Sequence, residues 1–298
     1  MDNTKVKQGD QHQTNDNNII IIGSPLLADK SVSFSSNSSG NILFCEDGID
    51  LRSSTISFNG SNSLIYLSKN KHLYRINVSI NRDSVLFIGE NNYFNGKLNL
   101  ILSERKHIVI GDNGLFSFGI WFRTADPHLI YSCQTHNRIN PSKNILIGDH
   151  VWIGQGALIL KGTAVASGSI VGANSTVSGK QICSNESWAG SPAKKIAEGV
   201  FFDGACVHNW TEAQTNASQV FHSDKWIFCD GELKKTSITS VFKELDSMLY
   251  AEDRLRYIQA RPKELQGKQR FANNRGRNSQ RQSTPLRLSH LASKLFKR

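Results

Sequence analysis

Nowhere in the 298 residues is there an apolar run of about 18, the length a helix needs to cross a bilayer. The longest early run, Asn18 to Pro25, is far shorter. The first seventeen residues are polar and lack a basic stretch followed by an apolar one, so no cleaved secretion signal is expected and a cytoplasmic location is. Cysteine is sparse. Cys45, Cys133, Cys183, Cys206 and Cys229 are scattered, odd in number and without CxxC spacing, which argues against a disulfide frame or a zinc site. An excess of positive charge is also missing from most of the chain. The formal net charge is +10, but Lys263 to Arg298 holds ten Lys/Arg against Glu264 alone, leaving +1 for the 262 residues before it. A basic partner-binding character therefore belongs to a tail and not to the body.

What is present is an internal repeat. Every sixth residue reads Ile147, Ile153, Ile159, Val165, Val171 and Val177. Four positions after each stand Val151, Ala157, Thr163, Ser169, Ser175 and Gln181. A large aliphatic followed four residues later by a small side chain is the hexapeptide signature of a parallel β-helix. Each hexad supplies one short strand and one corner, and three hexads close a triangular turn. The aliphatic stacks inside the prism, and only a small side chain fits inside the corner. A helical period of 3.6 would scramble this register within two repeats. Upstream the period loosens, although Ile88-Gly89-Glu90-Asn91 and Ile110-Gly111-Asp112-Asn113 echo Ile147-Gly148-Asp149-His150.

This pattern predicts a mainly β chain: a left-handed parallel β-helix with a protruding loop and a partly helical C-terminal extension. Residues 1–17 are expected to be a flexible polar N-terminus and 18–199 the β-helix. The repeat stops between Gly119 and Pro141, so a loop of about 119–141 should leave the scaffold there, the usual place for chemistry on a rigid fold. Residues 200–260 form the extension, with one helix over about 241–260 whose apolar stripe is Leu245, Met248, Leu249 and Leu255. The basic tail 261–298 has the composition of a disordered segment.

From about Ile108 to Ile196 the chain resembles the hexapeptide-repeat acetyltransferases. Three segments carry the likeness: Phe122 to Tyr131 with Arg138-Ile139-Asn140-Pro141, then Ile147 to Gly154, then Gly190-Ser191-Pro192-Ala193-Lys194. Those enzymes that O-acetylate capsular polysaccharides, polysialic acid among them, are the most similar. The resemblance implies a homotrimer with acetyl-CoA as co-substrate, no metal, and sites between subunits. It assigns the general base to His128 and places Trp152 beside the thioester, with the backbone near Gln155 as a second oxyanion donor. Along the coenzyme groove it places Ala173 and Ser178, with Pro192 near the adenine and Lys180, Lys194 and Lys195 toward the phosphates.

The residue types suit that chemistry. A sugar hydroxyl is a weak nucleophile near neutral pH, and an imidazole can remove its proton as it attacks. The other eight histidines carry no comparable context, His136 on the same loop included. Asp126 could orient the imidazole or cap a turn before Pro127. Cys133 as an acyl-bearing nucleophile has nothing nearby in sequence to activate it. His128, His136 and His150 do not have the spacing of a metal-binding set.

The expected acceptor is an acidic, sialic-acid-containing capsular polysaccharide, steered by Arg123, Arg138 or Lys143. A small sugar or sugar nucleotide is the alternative within the same chemistry. The tail suggests two further roles. Leu288, Leu291, Ala292 and Leu295 stand at helical spacing among basic residues, as in a short helix that docks on anionic lipid. Residues 263–298 could thus hold the protein at the inner face of the inner membrane, near a capsule-assembly complex. A non-catalytic protein that binds nucleic acid or another polyanion is the reading of a different class. Nucleic acid is not the expected partner, because the tail has few aromatics, Phe271 and Phe296, to interleave with its basic residues and leaves the loop histidine unexplained.

Overall fold

The computed structural model describes residues 12–13, 17–22, 31–228, 238–260 and 265–273. Its strands form three sheets, of nine, seven and six strands, and the chain visits them in rotation. From Ile145–Ile147 in the nine-stranded sheet it passes to Trp152–Ile153 in the six-stranded one. It then enters Leu158–Leu160 in the seven-stranded sheet and returns at Ala164–Val165. Each strand pairs in parallel with its counterpart one turn on: Ile147 with Val165, Ile153 with Val171, Ile159 with Val177. The result is a triangular solenoid.

The hexad explains the packing. All six aliphatics from Ile147 to Val177 are fully buried, each contributing roughly 1.5–3 kcal/mol by leaving water. The small residues four positions later are buried too, from Val151 to Ser175. Where they are polar, a neighbouring turn satisfies them: Thr163 Oγ1 donates to the Val177 carbonyl at 3.1 Å and Ser169 Oγ to that of Cys183 at 2.7 Å. Gly154 is required by close approach, since a Cβ there would lie 2.6 Å from the Ala173 nitrogen. After Val177 the spacing shortens by one, so Ile182 takes the next core position and Gln181 is exposed.

Upstream turns are longer. Leu43 pairs with Ile65, Ile65 with Leu86, and Leu86 with Ile108, at intervals of 21 or 22 residues. The three echoing motifs stack at one corner, where Gly89 N–H donates to the Ile110 carbonyl and Gly111 N–H to that of Ile147. In the upstream turns four of the larger core side chains are aromatic, stacked as Phe34 on Phe58 at 4.9 Å and Phe94 on Phe116 at 5.5 Å.

The C-terminal extension departs from expectation. Instead of one helix over about 241–260 there are two, Ile238–Ser247 and Ala251–Gln259. The break exposes Leu249, while Arg254 is buried. Its guanidinium donates to the carbonyls of Leu245, Met248 and Asn62, so it closes the end of one helix and ties the other to the solenoid. Asn62 Oδ1 in turn accepts the Ala251 N–H at 2.8 Å, capping the second helix from outside it. Both helices pack on the outer side of the nine-stranded sheet, over Leu64, Tyr66, Val85, Phe87, Val109 and Leu146.

Part of the segment expected to be disordered also docks. Leu265 and Phe271 join this second core, and Arg270 donates to Asp149 and pairs with Asp112. Burial of two apolar side chains and a closed ion-pair cluster fix 265–273, which composition alone did not reveal. Residues 274–298, with the helical pattern around Leu291, lie outside the described residues. Of the first seventeen, His12–Gln13 pairs antiparallel with Ile19–Ile22; apart from these and Asn17 that stretch is also outside them. Among the described residues no helix is long and apolar enough to cross a membrane, and no group of three His, Cys, Asp or Glu could hold a metal ion.

His107 is placed to couple helix docking to pH. Its ring is buried; Nδ1 accepts the Val85 N–H at 3.0 Å, and Nε2 meets Asp246 of the first helix at 3.1 Å. Burial holds its pKa below the usual imidazole range, outweighing the pull of Asp246. Burial raises the Asp246 carboxyl, but His107 and Lys106 together hold it below its ordinary range. Both folded values are depressed, so the unfolded chain binds more protons. The stabilisation is complete above about pH 6.5 and is lost as the pH falls. Melting temperature should therefore drop between pH 7.5 and 5.5, and His107→Gln should flatten that slope.

Candidate active site

The excursion begins later than the repeat alone suggested. Trp121–Arg123 is a strand of the seven-stranded sheet, paired with Leu98–Leu102 and Leu158–Leu160. The chain then leaves the edge between the seven- and nine-stranded sheets and returns at Ile145. His128, exposed, stands on this loop.

The loop is held by a polar clamp. Asn140 is buried, and its Nδ2 donates to the His128 carbonyl at 2.8 Å and to Asp126 Oδ2 at 3.1 Å. Its Oδ1 accepts the Ile130 N–H at 2.9 Å. Lys161, from the turn after Leu158–Leu160, donates to Asp126 Oδ2 at 2.5 Å and to the Asn140 carbonyl at 3.0 Å. That ammonium holds the Asp126 carboxyl below the usual range. Asp126 thus shapes the loop, and among the described residues it makes no hydrogen bond to the imidazole. At the other flank Arg138 grips Glu104 through both carboxylate oxygens, and Ser142 Oγ donates to the same group. Arg138 and Ser142 bring Glu104 down to about 2. Asn140 and Lys161 were not singled out from sequence. Asn140 lies in the Arg138-Ile139-Asn140-Pro141 segment, whereas Lys161 has no local signal.

Trp152 lies on another face. Its strand belongs to the six-stranded sheet, in register with Leu115 and Ile170. Ile153 points inward, so the indole points outward and stays 38% exposed, with the Phe202 ring 5.9 Å away. Phe202 also stacks on His150 at 4.0 Å, and the opposite face of His150 meets Trp226 at 3.5 Å. His150 thus secures the C-terminal extension beside Trp152.

The remaining sequence candidates separate by edge. Gln155 and Ala173 occupy successive turns at the corner between the six- and seven-stranded sheets, where the Asn174 N–H donates to the Gln155 carbonyl at 2.7 Å. The segment carrying Pro192 folds back onto the same corner, with the Ala193 N–H donating to the Thr176 carbonyl at 2.9 Å. Lys194 is exposed at the edge of the six-stranded sheet. Lys195 is paired with Glu186 and Glu198 and is less available to an anion. Ser178 ends its strand on the opposite side of the seven-stranded sheet, and Lys180 follows it there, so the chain does not bring these two to the Gln155–Ala173 column. The chain thus sets these features apart, the loop with His128 on one edge and Trp152 with its column at another.

No family model matches the chain. A polysialic acid O-acetyltransferase of Neisseria meningitidis is 42% identical over 41 residues, 14% of this chain. That match spans only 19% of the relative's length. Among solved structures, the polySia-specific acetyltransferase NeuO matches at 24% identity and a TM-score of 0.55, covering 66% of this chain and 91% of that one. The polysialic acid O-acetyltransferase OatWY matches at 24% identity with a TM-score of 0.48, covering 62% and 94%. The NeuO likeness fixes the fold as a left-handed parallel β-helix.

Proposed function

We propose that this chain is an acetyl-CoA-dependent O-acetyltransferase acting on a sialic-acid-containing polysaccharide, as a homotrimer with His128 as general base. The observation that carries the reading is the division of its parts: a clamped loop presenting one histidine, and an outward indole heading a column of turns on a different face. Neither half is a site alone. The nine-stranded sheet is covered by the chain's own helices, which leaves the other two faces to meet neighbours, and a threefold ring joins each loop to the next Trp152. The likenesses to polysialic acid O-acetyltransferases support the acceptor class.

In the proposed reaction a sugar hydroxyl attacks the thioester carbonyl while His128 accepts its proton. A new C–O bond forms, the C–S bond breaks, and the imidazolium returns the proton to the departing thiolate. The Trp152 N–H and a backbone N–H near Gln155 are the donors for the transient oxyanion. The coenzyme lies along the corner of Gln155, Ala173 and Pro192, with Lys194 toward its phosphates. Incubating the protein with acetyl-CoA and polysialic acid should release free thiol well above the rate without acceptor and leave O-acetyl esters on the polymer. Equal thiol release with and without polymer would reject the acceptor.

A further inference from the structure

Against the loop lies an open cavity of about 360 Å³, whose apolar walls include Ile101, Pro127 and Leu129. Pro127 and Leu129 flank His128 in sequence, so whatever fills this space sits against the loop that carries it. Four charged side chains also line it: Glu104, Asp126, Arg123 and Arg138. Three of these are neutralised within the chain. Arg138 pairs with Glu104, and Asp126 pairs with Lys161. Arg123 is different. Among the described residues it has no carboxylate partner, and its contact is the Trp121 ring, 5.8 Å from the guanidinium carbon.

We infer that Arg123 is the receptor for a carboxylate of the acceptor, in this cavity. The inference rests on the proposed function and narrows it to one cation. A guanidinium offers two parallel N–H donors matched to a carboxylate, and the Trp121 ring beside it limits its motion, so little freedom is lost on binding. Pairwise cancellation around it leaves one uncompensated positive charge, the requirement for one anionic sugar. Arg138, an equal candidate from sequence, is committed to Glu104 and fixes the loop. Lys143 does not line the space; its side chain runs beside Gly162.

The test is calorimetric binding of a sialic acid oligomer, and of the same oligomer with its carboxylates reduced, to the full chain. Arg123→Met should bind the acidic oligomer about 10- to 100-fold more weakly, with Arg123→Lys intermediate. Both variants should match the unmodified protein for the reduced oligomer, for coenzyme A and in melting temperature. Unchanged affinity of Arg123→Met for the acidic oligomer would overturn the inference. So would an equal loss for both oligomers, or no binding of the acidic one by the unmodified chain. If binding depends on Arg123 but no acetyl is transferred, the enzyme reading fails and the carboxylate site stands. If transfer proceeds and Arg123→Met is indifferent, the site fails and the enzyme stands.

Discussion

His128→Ala is expected to slow acetyl transfer by about 100- to 10,000-fold, the usual contribution of a positioned general base. The structure makes this a clean substitution. Among the described residues nothing in the chain hydrogen-bonds the His128 ring, so truncation leaves no buried partner unsatisfied. The loop's shape depends on the His128 carbonyl and the Asn140 amide, both of which remain. Stability and coenzyme affinity should therefore be unchanged while kcat falls. His136→Ala is the matched control. That residue sits on the same loop with a left-handed backbone, and its loss should alter rates by less than about threefold. A His128→Ala enzyme within threefold of the original would remove the imidazole from the mechanism. Asn140→Ala separates base from scaffold: it keeps the imidazole but releases the turn that aims it, so kcat should fall with the pH profile intact.

The parts of this molecule written in sequence are those governed by local steric rules. Ile147 to Val177 announce the prism because an inward corner tolerates only Ala, Ser, Thr or Val, and the pattern recurs without a break. The three Ile-Gly-acid motifs were legible for the same reason, each glycine marking a corner where one turn rests on the next. Interactions between distant elements were not legible. Nothing around Lys161 announces that it holds Asp126, thirty-five residues away, and nothing near Arg254 says that it ends the helix before it. Amphipathic periodicity runs on through Met248 to Tyr250, so the two helices read as one. Hexad counting also misled at the end of the repeat, where the five-residue step to Ile182 breaks the register. The polar, basic segment 265–273 reads as disordered until Asp112 and Asp149, from two successive turns, present paired carboxylates to Arg270. Edge assignment is the subtlest case. Ser178 and Ala173 look alike as coenzyme neighbours in a linear alignment, yet a corner and a whole strand separate them.

That separation of edges leads to the most demanding expectation, restoration of activity by mixing two inactive variants. Within a protomer the loop is anchored by Glu104 and Lys161 at the junction of the seven- and nine-stranded sheets. Trp152 projects from the six-stranded sheet. A triangular prism sets an edge opposite the third face, so the two side chains are directed apart. If the site forms across a threefold junction, His128→Ala and Trp152→Ala homotrimers should each be nearly inactive. In a mixed trimer one of the three junctions still joins an intact His128 on a Trp152→Ala protomer to an intact Trp152 on its neighbour. Random assembly makes three trimers in four mixed, so equal amounts of the two variants, refolded together or co-expressed, should recover about a quarter of the original activity. Trp152 is partly exposed and its closest ring neighbour is Phe202, so its removal should not prevent folding or assembly. A mixture no more active than its two components, under conditions where mass measurement shows mixed trimers, would mean that histidine and indole act within one protomer or not together at all.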